Sequence, residues 1–383
     1  MTLAMTVRSW AISTCLILAL TGATAGKPAV AAEKMVPILV PITGFLSLEG
    51  TAQRNGAVLA LENPPAGVTV GHEVSDTSTS PEKAVTALKR ALGRGEPVAA
   101  AASIFGTQML AMAPVAQRAG LPLITVSGTA KLTELGNPFI FRFFPGDAVV
   151  KVAHASYAIK DLGAKRPALI HQTTSYGQSG RAHLERIAKE MGAPLVFQEG
   201  ISPSVKDMSA VLTRAKAANP DMLLLHLHSK PTALVIRQAR KMGWNVAVVA
   251  GSAMHQPTTA ALLQPAELKG VCAESAASPI SDDRTALKSF TEAYRKRFSA
   301  EPDAFAVGQH DGINMVLAAM ADGAENAEQV RAWLSGHTFE GLAMTYKSDG
   351  KGNMAHDALV ICYDGESRTP HIAKRYHNVD GVL

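Results

Sequence analysis

Seven short polar segments, each following an apolar run, carry most of the side chains in this sequence that could do chemistry. They are Thr43–Gly44, Asp76–Thr77, and residues 103–107, 127–129, 171–176, 226–229 and 252–255. Hydroxyls and imidazoles dominate them, and carboxylates are few. Groups of this kind hydrogen-bond a small polar or anionic solute without breaking a covalent bond. Phe105 and Tyr176 add apolar contact area. Patterns that would make such residues catalytic are absent: there is no G-x-S-x-G, H-E-x-x-H or G-x-x-x-x-G-K-[ST]. Residues 106–108 lack the second Gly and the Lys of a phosphate loop. The sequence therefore supports no enzyme and calls for no cofactor. His226 and His228 are two apart and would share one side of a strand, but no H-x-x-E or Cys partner lies nearby to complete a metal site.

For these segments to form one site, the elements before them must bring their ends together. From Met35 onward, short apolar runs alternate with longer amphipathic stretches. Strands are expected at 35–42, 68–74, 97–102, 122–126, 168–171, 195–198, 222–226, 246–250 and 271–274. Helices are expected at 50–62, 81–92, 109–118, 184–191 and 208–217. In the first of these helices Ala52, Val58, Leu59 and Leu61 are the inward positions. Wholly apolar strands between helices indicate parallel strands covered on both faces. The expected class is α/β, doubly wound, and ligands in such sheets bind beyond the carboxyl ends of the strands.

With 383 residues and 47% apolar content, the chain is long enough for two such sheets. The formal charge of +5 comes from scattered residues, with no basic cluster interleaved with aromatics, so no nucleic-acid partner is expected. Arg8 precedes an apolar run at 11–20, followed by small residues ending Ala29-Val30-Ala31-Ala32, the pattern of a cleaved secretory signal over 1–31. The run is shorter than the roughly 20 residues a spanning helix needs, so no stable membrane insertion is expected. Without that leader, basic residues number 35 against 32 acidic, a charge of +3. Cys15 would leave with it. Cys272 and Cys362 remain, each in a strand-like run. In an oxidising compartment they could pair, or they could be two small core residues.

Several segments together resemble one family. Pro41-Ile42-Thr43-Gly44 opens the series, followed by Asp76 and Pro81-Glu82-Lys83-Ala84. Next come Ala113-Pro114-Val115-Ala116, Gly120-Leu121-Pro122-Leu123-Ile124 and Ser127-Gly128-Thr129. Ser175-Tyr176-Gly177, Lys206-Asp207-Met208-Ser209, Asn219-Pro220-Asp221 and Gly308-Gln309-His310-Asp311-Gly312 complete it. In order and spacing they resemble the type I periplasmic solute-binding proteins, in the Leu/Ile/Val-binding branch that serves branched-chain amino acid ABC importers.

The resemblance implies two doubly wound parallel-sheet lobes joined by three crossovers, one from 32–145 plus 275–343 and the other from 146–274 plus 344–383. It implies a monomeric periplasmic receptor that closes on its ligand by hinge motion and presents the closed form to an inner-membrane ABC permease. It also implies site roles. The loops 103–107 and 127–129 would hold the ligand carboxylate, with Phe105, Thr107, Ser127, Gly128 and Thr129 in that set. Tyr176 would cover the ligand from the opposite lobe; His255, from the polarity of its own post-strand segment, is a further ligand-binding candidate. His228 and Ala253 stand where amino-acid binders carry an aromatic and an acidic residue. The segment 63–68 also lacks the family's Gly-Gly-Ile turn, consistent with a shortened loop remote from the cleft.

Ala253 is the informative departure. A buried ammonium group needs a carboxylate partner, and here the post-strand positions supply His226, His228 and His255. The expected ligand is therefore a carboxylate without an ammonium group: an aromatic acid, a 2-oxo acid or a short dicarboxylate. The alternative is that Asp76 or Glu274 supplies the charge from another loop, which would readmit a branched-chain or other amino acid. A sensing module of the same fold, reporting to a signalling partner, is the competing role.

Overall fold

Ile38, Leu39 and Val40 are all fully buried because alternate side chains enter different cores. In the computed structural model, which describes residues 1, 2, 4 and 33–379, Ile38 and Val40 join one core and Leu39 another. The first lies under the helices Ser47–Leu61 and Ala304–Ala321, and the second under Pro81–Leu92 and Gly106–Ala119. The second sheet repeats this. Leu223 and Leu225 face one core, and Met222 and Leu224 the opposite one. Apart from residues 1, 2 and 4, the expected leader at 1–31 lies outside the described residues.

The first sheet has five parallel strands in the order Val74–Asp76, Ile38–Val40, Ala100–Ala102, Leu123–Thr125, Ile140–Arg142. The second has seven: His371–Tyr376, Ala358–Cys362, Val271–Ser275, Ala247–Ala250, Met222–His226, Pro167–Gln172, Phe197–Ile201. Its last five are parallel, and the first two are antiparallel additions. In both sheets the second strand in sequence lies outside the first and the third lies on its other side. Both therefore reverse winding direction next to their first strand, where ligand crevices open.

Close helix packing fixes the first layer. A Cβ on Gly56 would fall 2.1 Å from the Ala306 carbonyl oxygen, so the two long helices approach at a distance only glycine allows. Two element ends differ from expectation in ways that matter below. The helix expected at 109–118 begins at Gly106, and the one expected at 50–62 begins at Ser47, because polar first turns carry no apolar periodicity. The strand expected over 68–74 is reduced to Val74–Asp76. Gly67 turns with φ +83°, and Gly71 pairs with Lys34 and Val36 through its backbone.

Cys272 and Cys362 face each other in the antiparallel register and form a disulfide. Three passages link the sheets: after Arg142, after Ser275, and before Ala358. Tyr346, Met354 and Ala355 pack into the first core. The Tyr346 ring lies 5.0 Å from Phe143, and its hydroxyl donates to Asp311 Oδ2 at 3.0 Å. We propose that the third passage follows Ala355 rather than residue 343, since the hairpin Thr338–Glu340/Thr345–Lys347 keeps this segment with the first lobe.

Candidate functional site

The loops that follow the strands of both sheets meet around a small, partly open cavity. Leu46, Glu49, Ile104, Val126, Gly128, Phe144 and Phe305 line it from the first sheet's side. Tyr176, His228, Ser252 and Ala253 line it from the second. The wall is mostly apolar, and no Lys or Arg is among the lining residues.

The 127–129 loop is shaped from behind. Thr125 donates its hydroxyl to the Ser103 carbonyl at 2.8 Å and accepts from the Ser127 amide at 3.1 Å. The Gly128 carbonyl accepts from Arg142 Nη1 at 3.0 Å and from the Asp147 amide at 2.7 Å. Arg142 is buried, and its guanidinium reaches Thr133 as well. With the backbone held, Ser127 Oγ and Thr129 Oγ1 are buried without a partner. Two such hydroxyls fit the oxygens of a carboxylate. A Cβ on Gly106 would meet Thr129 Oγ1 at 1.9 Å, so the first turn of the Gly106–Ala119 helix lies against this loop. Its partial positive charge favours an anion there.

The remaining expected residues take different places. Thr107 lies outside the cavity lining and donates across the cleft to Ser175 Oγ at 3.2 Å. Phe105 stacks edge-on with Phe45, ring centroids 5.3 Å apart, and lies 6.2 Å from His228 in a cluster beside the cavity. Tyr176 covers the cavity with its ring 3.9 Å from His226 and 5.1 Å from His228. Desolvation pushes its phenol pKa far up, so the hydroxyl keeps its proton. His226 Nε2 donates to the Tyr176 carbonyl at 2.9 Å. His228 lines the cavity, with Nε2 buried and unpartnered. His255 stands behind the wall, accepting from the Ala304 amide at 3.0 Å and packed on Phe305 at 4.7 Å. Burial pulls His228 and His255 down to about 3 and His226 well below its usual range. All three imidazoles are therefore neutral.

Both acids that the sequence offered as stand-ins for Ala253 are committed elsewhere. Asp76 accepts from the Ile42 and Ser78 amides and the Thr43 hydroxyl, away from the cavity. Glu274 is fully buried against Lys151, and accepts from His154 Nδ1 at 2.9 Å, the Ser252 amide at 3.1 Å and the Ser252 hydroxyl at 2.9 Å. Those partners hold it down to about 2 despite burial. It steadies Ser252 rather than facing a ligand.

Glu49 is the acid in the wall. It lies in the first turn of the Ser47–Leu61 helix, which the apolar pattern placed later, and this is why sequence reasoning missed it. Burial raises its pKa. Ala253 is where the sequence placed it, yet its lack of charge no longer argues against an ammonium group in the cavity.

A family model for periplasmic binding proteins matches residues 35–365. The chain belongs to the periplasmic binding protein family. Members of this family are non-enzymatic solute receptors with an extracytoplasmic location, in keeping with the absence of any catalytic motif. Among the described residues no helix is long and apolar enough to cross a membrane. An amino acid binding protein of Pseudomonas aeruginosa is 24% identical, over 88% of this chain and 92% of its own length. The periplasmic binding protein fold is shown by a leucine binding protein from Thermotoga maritima with a TM-score of 0.82, at 24% identity over 92% of this chain and 100% of that one. A solute binding protein of an ABC transporter from Rhodopseudomonas palustris, in complex with 3,4-dihydroxybenzoic acid, aligns with a TM-score of 0.78 at 20% identity. It covers 91% of this chain and 98% of that one.

Proposed function

We propose that this protein is the solute receptor of an ABC importer, exported by its 1–31 leader, that captures a small carboxylate with an apolar body between its lobes. The observation that carries this reading is the pair of buried, unpartnered hydroxyls, Ser127 Oγ and Thr129 Oγ1, on a rigid loop against a helix N-terminus and beside an apolar cavity. Each would give a carboxylate oxygen a hydrogen bond in a site of low dielectric. Gly128, Tyr176, His228 and Ala253 would then contact the ligand directly. Thr107 would contribute through the cleft contact to Ser175, and Phe105 and His255 would brace the wall. Leu46, Ile104, Val126, Phe144 and Phe305 favour an aliphatic or aromatic body over a second carboxylate, which would find no cation.

Relatives that bind amino acids and one in complex with an aromatic acid are both compatible with this cavity. Closure around the solute would create the surface that an inner-membrane permease reads. Isothermal titration against branched-chain and aromatic amino acids, aromatic acids and 2-oxo acids tests the proposal. Micromolar or tighter binding of at least one, weakened at least tenfold in Ser127→Ala and Thr129→Ala, is expected. Binding of none of them would overturn it.

A further inference from the structure

Glu49 occupies two positions at once. Its helix, Ser47–Leu61, is packed in the first lobe's core, while the donors on its Oε1 come from the first residue of Ser229–Lys241 in the second lobe. The Ser229 amide donates to Oε1 at 2.9 Å, and the Ser229 hydroxyl lies 2.6 Å from the same oxygen. That hydroxyl shares its single proton with Gln256 Oε1 at 2.7 Å. The Gln256 amide continues to Asp303 Oδ2, and Asp303 caps the Ala304–Ala321 helix of the first lobe through the Ala306 amide. The chain thus runs from the first lobe to the second and back. Glu49 Oε2, the other oxygen, is buried in a residue that lines the cavity and has no partner.

We infer that Glu49 reads a protonated amine on the ligand with Oε2 while its Oε1 latches the second lobe shut. This rests on the solute-receptor reading above and narrows its ligand class to acids that also carry an amine. A buried carboxylate with one satisfied oxygen leaves strong acceptor capacity, and a cationic N–H donor is the chemistry that best fills it. The cavity wall supplies no Lys or Arg for that purpose. With the carboxylate on Ser127 and Thr129 and the amine on Glu49, both charges of a zwitterion are matched. The apolar wall is left for its side chain. Because one carboxylate serves both ligand and latch, the amine steadies the charge that caps the second-lobe helix.

The test compares each of the twenty common amino acids with its deamino analogue, for example L-leucine with 4-methylpentanoate and L-phenylalanine with 3-phenylpropanoate. Calorimetric affinities are measured for the wild type, Glu49→Gln and Ser229→Ala. The wild type is expected to favour at least one amino acid over its analogue by at least 30-fold. Glu49→Gln should cut that ratio below about 3-fold while leaving the analogue's Kd within about 3-fold. Ser229→Ala should weaken both partners of a pair by the same factor. A preference that survives Glu49→Gln overturns the inference and leaves the receptor reading standing, as does a wild type that binds only the deamino acids. A wild type that binds neither member of any pair, nor any aromatic or 2-oxo acid, overturns the receptor reading itself.

Discussion

Removing the Glu274 carboxylate should destabilise the protein more than any exposed ion-pair change. Glu274 sits at the end of Val271–Ser275, just before the chain returns to the first lobe, and Lys151 lies on Asp147–Ser156, just after it first leaves. Neither side chain is exposed. Glu274→Ala leaves the Lys151 ammonium buried without its partner, a loss of about 3–5 kcal/mol. At about 2.1 cal/mol/K of unfolding entropy per residue, some 350 ordered residues convert 4 kcal/mol into about 5 °C of melting temperature.

Differential scanning calorimetry of Glu274→Ala, Lys151→Met and the double variant at pH 7 checks this. The double variant should recover about 1–3 kcal/mol relative to the sum of the singles, because it removes the orphaned charge. It should not reach the wild type, since the Ser252 amide and His154 Nδ1 also lose their acceptor. Glu274 is held at about 2, below its unfolded value. Its contribution is therefore complete above about pH 4.5 and is lost as the pH falls toward 2. The reasoning is refuted if Glu274→Ala costs less than about 1 kcal/mol, or if the two single losses simply add.

Three other outcomes are expected. Thr129→Ala should weaken a carboxylate ligand by about 1.5–3 kcal/mol, read by isothermal titration, as one charge-assisted bond is lost. Asp147 is pushed up to about 7, chiefly by burial, so its contribution is complete below about pH 4 and is lost as the pH rises through 7. Asp147→Asn should accordingly be more stable than the wild type at pH 8 by up to about 4 kcal/mol and equal to it at pH 4, as urea titration at both pH values would show. Replacing Cys272 and Cys362 by Ser should cost about 4–5 kcal/mol, because the bridge closes a loop of 90 residues in the unfolded chain. Equal unfolding midpoints with and without the bridge would contradict this.

Much of the fold was legible because it rests on periodicity. The apolar runs at 222–226 and 271–274 became central strands within one residue of expectation, and the 81–92 helix has the expected ends. Its Ser80 cap and Pro81 first turn are local signals. The site was legible to the extent that it lies at strand ends: Gly128, Tyr176, His228 and Ala253 all line the cavity. Glu49 was not. It lies in a polar first turn whose neighbours Ser47, Leu48 and Gly50 show no amphipathic pattern, and nothing in its own sequence distinguishes it from a solvated acid. Phe105, Thr107, Ser127, Thr129 and His255 are not among the residues lining the cavity, for a related reason. A loop position fixes where the backbone goes, while the direction of a side chain depends on neighbours from other elements.

The sequence by itself determined two wound parallel sheets, the strand ends where their polar residues gather, and kinship with solute receptors. Such features follow from short-range patterning and turn chemistry, which act along the chain. Which charges face the cavity was decided only by tertiary structure. Glu274 is neutralised by Lys151 across 123 positions, and Glu49 meets Ser229 across 180. Whether Cys272 pairs with Cys362 depended likewise on strand register. The energy of a buried charge is set by what lies within a few ångströms in space, and that neighbourhood exists only once the chain has folded.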